Sequence, residues 1–234
     1  MPDPKLTVLF IVEGESDKTA LKKIFEKLYK NKNIKFEVTD GDITSDESVT
    51  VQNVEDKIYD IVKKFMLDKK ITKNNILQIV QLFDTDGAYI SDEFIEEGES
   101  TKFEYTLTSI KCKYPQKVVD RNKRKREIVN YLVRLQDIKG ISYDKYYMSC
   151  NLDHALYNEQ NLSKESKQEY ADEFYTTFKD APRAFITFLK ADVANGTPSS
   201  FPQSWKYIKQ DYHSLERHTN LDIYFDKNPI DPLL

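Results

Sequence analysis

Residues 6–12 (LTVLFIV) and 76–83 (ILQIVQLF) constrain this chain more than any other feature. The first is a nearly unbroken apolar run, the second an apolar stretch that carries Gln78 and Gln81, and each stops at a carboxylate: Glu13-Gly14 after the first, Asp84-Thr85-Asp86-Gly87 after the second. A run without polar alternation fits a strand buried on both faces, as in a parallel sheet covered by helices.

The intervening sequence supplies those helices. Leu21, Ile24, Phe25 and Leu28 recur at helical spacing, with Ser16 as the expected cap. Residues 34–39 (IKFEVT) alternate as a second strand, and Val54, Ile58, Ile61, Val62 and Phe65 form a second helical stripe. Further on, Ile128, Leu132 and Leu135 mark a third helix, and residues 145–150 (KYYMSC) a fourth strand. The order β-α-β-α-β-insertion-α-β predicts an α/β, Rossmann-like fold with a mostly parallel sheet flanked by helices. Past residue 151 the pattern turns helical, with Phe174, Phe178, Phe185, Phe188 and Leu189, and no strand is expected to return. Residues 195–204 read as loop, 207–215 as a short last helix and 228–234 as a tail. The domain reading is an α/β domain over 1–150, with an insertion at about 88–126, and a mainly helical C-terminal region over 151–234 packed on it.

Composition removes several classes. At 234 residues the chain can bury a core of its own. No apolar run approaches the roughly 20 residues of a membrane span. The N-terminal apolar stretch runs straight into Glu13 and reads as a strand, not a signal peptide. Two cysteines, Cys112 and Cys150, exclude a disulfide framework and a four-cysteine zinc site, and they suit reduced thiols in the cytoplasm.

Ligand sites in open parallel sheets form at the carboxyl ends of the strands. Glu13, Asp84 and Asp86 should therefore meet at one sheet edge. Asp17 follows Glu13 by four residues, so both would lie on the first helical turn. Gathered carboxylates raise one another's pKa unless a cation neutralises them. A divalent ion with a preference for oxygen ligands, Mg2+ or Mn2+, solves that problem and suits phosphodiester chemistry.

The net charge of −4 hides two opposed blocks. Residues 84–104 hold eight acids against Lys102 alone, and residues 111–126 hold eight bases against Asp120 alone. The basic block reads either as a phosphate-binding surface, with Arg121, Lys123, Arg124 and Arg126 as contacts, or as a solvated loop and helix start.

At these residues the chain resembles the Toprim family, the catalytic fold shared by topoisomerases, bacterial primases, OLD-type nucleases and RNase M5-like enzymes. Residues 10–17 (FIVEGESD) and 82–87 (LFDTDG) carry the resemblance, which covers roughly residues 5–150. It implies that Glu13 is a general acid/base or metal ligand and that Asp84 and Asp86 bind magnesium. The Glu-Gly-x-x-Asp spacing resembles the OLD-type nucleases, which implies a place for Asp17 in a two-metal site. No GxxxxGK[ST] motif is present, so the ATPase that accompanies OLD proteins is not encoded in this sequence. A small standalone Toprim protein is expected.

Residues after the fourth strand are secondary candidates. Asp153 could complete a second metal site and His154 could position water or phosphate, or Asn151 and Asp153 simply cap a helix. Asp40 and Asp42 read as turn residues at the same edge. Cys150 has no basic partner in the local sequence, and His213 and His218 lack the spacing of a helical zinc pair. Trp205 and most tyrosines read as packing. The leading functional expectation is a metal-dependent nuclease on DNA or RNA, with a role in bacterial phage defence implied by the resemblance. The alternatives are a non-catalytic module that binds nucleic acid or a separately encoded ATPase, and a phosphate-binding domain with vestigial carboxylates.

Overall fold

The computed structural model describes residues 6–30, 33–38 and 42–230. In chain order, β1 (Thr7–Val12) leads through α1 (Glu15–Leu28) to β2 (Asn33–Val38), then α2 (Val54–Lys69) and β3 (Ile76–Asp84). Three short strands follow, β4 (Ile95–Glu97), β5 (Glu104–Tyr105) and β6 (Ile110–Cys112). Helix α3 (Pro115–Leu132) returns the chain to β7 (Asp137–Ile138) and β8 (Ile141–Ser149). The remainder is α4 (Leu152–Tyr157), α5 (Lys164–Phe178), α6 (Pro182–Phe188), a π-helical turn at Leu189–Val193, α7 (Phe201–Tyr207), β9 (His218–Thr219) and α8 (Asp222–Lys227).

The main sheet runs β2-β1-β3-β8-β7, with β9 also on β8. Strands β2, β1, β3 and β8 are parallel, while β7 and β9 run antiparallel to β8. The fold is thus α/β, with a mostly parallel sheet flanked by helices.

Every residue of β1 is buried, which is why its sequence lacks alternation. Successive side chains go to opposite faces. Val8, Phe10 and Val12 join Val80, Leu82, Tyr146 and Met148 beneath α1, α5, α6 and α8. Leu9 and Ile11 join Ile79, Phe83, Tyr143 and Tyr147 beneath α2, α3 and Trp205. Helices α4, α5, α6 and α8 therefore share a core with α1 on one face of the sheet, while Trp205 of α7 packs on the other.

Several elements differ from the sequence expectation. Gly14, not Ser16, is the N-cap of α1, and the Asp17 carboxylate reaches back to accept the Gly14 N–H at 2.9 Å. Helix α3 begins at Pro115, where a proline suits the first turn, so most of the basic block is helix rather than insertion. The insertion folds into its own small sheet, β4-β6-β5. Helix α7 occupies part of the expected loop, and residues 208–215 form turns and bends instead of a helix. A strand does return: β9 pairs His218 with Ser149 and Thr219 with Met148 at the end of β8. Two paired residues are too few to leave a periodic signal. No helix among the described residues is long and apolar enough to cross a membrane.

Candidate metal centre

The parallel pairing of β1 with β3 brings the ends of both strands to one edge. Glu13 follows β1 directly, and its Oε1 accepts the backbone N–H of Asp84, the last residue of β3, at 3.2 Å. Asp84 Oδ1 in turn accepts the Leu152 N–H at 2.9 Å. The chain then turns sharply. Asp86 and Gly87 both adopt positive φ, 49° and 62°. The turn is held by the Asp86 N–H to Cys150 O at 2.7 Å, the Gly87 N–H to Ser214 O at 3.0 Å, and the Thr85 hydroxyl to Ser214 O at 2.7 Å. Asp84 and Asp86 are therefore not two residues of one extended strand; the turn aims Asp86 separately.

Asp42, beyond β2, enters the same site. Carboxylate oxygens of Glu13, Asp42 and Asp86 all lie within 4.8 Å of one another, and this half-buried group could hold a metal ion. Asp40 lies outside the described residues. The Asp42 oxygens also accept from the Thr44 N–H at 2.8 Å, the Thr44 hydroxyl and the Ser45 hydroxyl.

Two cations from α3 reach this group. Lys125, only 1% exposed, donates to Asp42 Oδ2 at 2.7 Å and to Asp86 Oδ2. Arg121 places Nη1 3.6 Å from Asp86 Oδ2 and donates through Nη2 to the Asp86 carbonyl at 2.9 Å. Its Nη1 also donates to the Tyr105 hydroxyl at 3.1 Å, and that hydroxyl donates to Asp86 Oδ1 at 3.3 Å.

The charges are not balanced. Burial, then the Asp42 carboxylate, pushes the Glu13 carboxyl well above the usual range, against the pull of Lys125. Burial, then Asp17 and Asp86, does the same to Asp84. Burial also raises Asp42, but Lys125 and the Ser45 and Thr44 hydroxyls outweigh it and hold that carboxyl down at about 2. Burial raises Asp17 to about 6.

Asp17 acts electrostatically on Asp84, and Asp153 on Asp17. Asp153 is 2% exposed; its Oδ2 meets Lys167 Nζ at 2.5 Å, while its Oδ1 is buried with no hydrogen-bond partner. An all-carboxylate donor set, with excess negative charge and an orphaned buried oxygen beside it, fits a hard divalent cation.

A cavity of about 570 Å³ opens over these groups. Glu13, Asp42, Asp84, Asp86 and Asp153 line it, together with Phe103 and Tyr105 of the insertion. Lys102, Lys164 and Lys167 also line it. Sequence reasoning missed these three lysines and Lys125. The one available signal was Lys102, isolated among acids.

The four expected phosphate contacts lie on α3. Arg121 is 8% exposed and turned inward. Lys123 is exposed. Arg124 donates to Ser45 O at 2.9 Å, and Arg126 to Ala88 O at 2.9 Å. None of the four lines the carboxylate cavity. Lys123 and Arg124 border a separate one of about 410 Å³.

The remaining candidates have structural partners. Asn151 caps α4 by accepting the His154 N–H at 2.8 Å. His154 Nδ1 accepts the Cys150 N–H at 3.1 Å, and burial holds its imidazole down at about 4. Burial, then Asp86, pushes the Cys150 thiol well up, so it stays protonated. His213 stacks on Tyr207 with ring centroids 3.8 Å apart, and His218 Nε2 lies 3.1 Å from the Tyr207 hydroxyl. Trp205 is packed against Phe83 and Tyr147.

No protein-family model, curated protein or solved structure matches this chain.

Proposed function

We propose that this protein is a Toprim-like, metal-dependent phosphodiesterase that hydrolyses DNA or RNA. One observation carries the reading. Carboxylates from the ends of β1 and β3, joined by Asp42, converge at the floor of a cavity whose wall carries Lys102, Lys164 and Lys167. Glu13, Asp84 and Asp86 of the motifs that resemble the Toprim family line that cavity.

Glu13, Asp42 and Asp86 would hold Mg2+ or Mn2+, with Asp84 lining the same cavity. Such an ion, when bound, supplies charge neutralisation at the phosphate and a water of lowered pKa. The chain's own groups orient the ligands. The Leu152 N–H fixes Asp84, and the Tyr105 hydroxyl with Arg121 fixes Asp86. The three wall lysines bind backbone phosphates. Phe103 and Tyr105 offer ring surface beside the same cavity.

The test is cleavage of single- and double-stranded DNA and RNA with Mg2+ or Mn2+, by wild type beside Asp84→Asn. The asparagine oxygen can still accept the Leu152 N–H, so the variant should keep its fold. Cleavage by wild type, reduced at least about a hundredfold in the variant, supports the reading. Equal cleavage by both, or none by wild type on any substrate, overturns it.

A further inference from the structure

The position that a divalent ion would take is already addressed by a cation of the chain. Lys125 Nζ contacts Asp42 and Asp86, two of the three carboxylates that could hold a metal, and it acts electrostatically on the third, Glu13. The side chain is 1% exposed, so no solvent path relieves the contact. Helix α3 fixes its origin, because Ile128, Val129 and Leu132 of the same helix are buried under the sheet. Arg121, one helical turn earlier, presents a second cation to the same Asp86.

We infer that Lys125 is a resident counter-ion that competes with the metal for Asp42 and Asp86, so the ion must displace this ammonium to bind. The inference rests on the metal-centre reading above and adds a control on it. An ammonium and a divalent ion on shared carboxylate oxygens repel strongly at a few ångströms, and burial keeps that repulsion poorly screened. The carboxylate cluster without its metal is then held together by Lys125. Binding exchanges an internal cation for an external one, which weakens the site for metal and makes occupancy depend on its concentration.

The experiment is a calorimetric titration of the full chain with Mn2+, paired with melting scans with and without the ion. Wild type is compared with Lys125→Gln, which keeps hydrogen-bonding capacity and loses the charge, and with Lys125→Arg, which keeps the charge. The expected result is Mn2+ binding about tenfold or more tighter in Lys125→Gln, with Lys125→Arg close to wild type. Lys125→Gln should also melt lower than wild type without ion and gain more from Mn2+. If Lys125→Gln does not fold without ion, refolding on addition of Mn2+ gives the same answer. Equal or weaker Mn2+ binding by Lys125→Gln overturns the inference and leaves the metal centre standing. Absence of Mn2+ binding in all three proteins overturns both.

Discussion

Arg121 grips Asp86 at both ends: one guanidinium nitrogen donates to the Asp86 carbonyl at 2.9 Å, and the other stands 3.6 Å from its carboxylate. Asp86 is a non-glycine residue at φ 49°, a backbone that L side chains seldom adopt. The guanidinium also lies 5.0 Å from the Phe103 ring centroid, so one side chain ties the Asp86 turn to the insertion.

Arg121→Met should therefore behave as a core substitution. Lys125 alone would then face the Asp86 carboxylate, and the Asp86 carbonyl and Tyr105 hydroxyl would lose a buried donor, so a loss of about 3 kcal/mol is expected in urea unfolding. Arg121→Lys should recover little of it, because an ammonium cannot serve carbonyl and carboxylate with one planar fork. A loss below about 0.5 kcal/mol would mean that the side chain behaves as a surface group.

Gly87 carries the next prediction. It sits at φ 62°, and an added Cβ would come 2.4 Å from Leu215 Cδ2 and 2.9 Å from Ile110 Cδ1. Both neighbours are fully buried, so neither can swing into solvent. Gly87→Ala should cost about 1–3 kcal/mol through overpacking, with positive-φ strain in addition. The turn would shift, so metal affinity should fall with it. A variant with wild-type urea midpoint and wild-type Mn2+ affinity would refute this account of the turn.

Stability without metal should fall as pH rises through the acid range. A carboxyl whose pKa is higher folded than unfolded carries more protons when folded, so its neutral form favours folding, and that advantage is lost towards the higher value. For Asp17 the interval runs from 3.8 to about 6. Glu13 and Asp84, raised well above their ordinary values, extend the decline upward. His154 works in the opposite sense between about 4 and 6.5, because its imidazole is neutral when folded. The acids outnumber it. Urea midpoints without divalent ion should drop between about pH 4 and pH 7, Mg2+ should remove most of the drop, and Asp17→Asn should flatten its lower half. A midpoint that climbs through this range without metal would contradict the buried acid cluster.

The legible parts of the sequence were those with a local physical signature. β1 announced itself because a strand buried on both faces has no polar alternation, and β3 because its apolar residues from Ile79 to Phe83 are buried. Glu13 and Asp84 followed, since parallel neighbours end at one edge. Asp42 was harder, because its place depends on a chain segment beyond β2 that lacks any strand or helix period. Lys125 was illegible: in a run of bases it reads as solvated, and only the start of α3 at Pro115 turns it inward. Lys167 reaches the site through the packing of α5 on α1, a contact with no sequence signature.

The C-terminal segment is bolted to β8 by Asn220. Its Oδ1 accepts the Tyr147 N–H at 2.9 Å, and its Nδ2 donates to Ser204 Oγ at 2.9 Å, with Asn220 fully buried. Asn220→Ala strands the buried Tyr147 backbone donor, while the Ser204 hydroxyl loses one accepted hydrogen bond and still donates to Phe201 O. A loss of about 1–3 kcal/mol is expected by thermal or urea unfolding, from the one buried donor left unsatisfied. Ser204→Ala strands only the amide donor and should cost less. Equal costs for the two variants would show that the Tyr147 contact contributes nothing.

Nucleic-acid binding should separate the cavity lysines from the helix α3 bases. Lys102 and Lys164 are exposed and line the carboxylate cavity, whereas Lys123 is exposed beside a different one. If phosphates run through the carboxylate cavity, Lys102→Glu with Lys164→Glu should remove about two phosphate contacts. The slope of log affinity against log salt should then shrink by about 1.4 for a single strand or about 1.8 for duplex DNA. Lys123→Glu should leave the slope within the error of wild type. Fluorescence anisotropy with a labelled oligonucleotide, in Ca2+ to hold back cleavage, reads both. A slope that shrinks only with Lys123→Glu would move the track to the α3 surface and the 410 Å³ cavity there. The wall lysines would then serve the carboxylates alone, as Lys167 already serves Asp153.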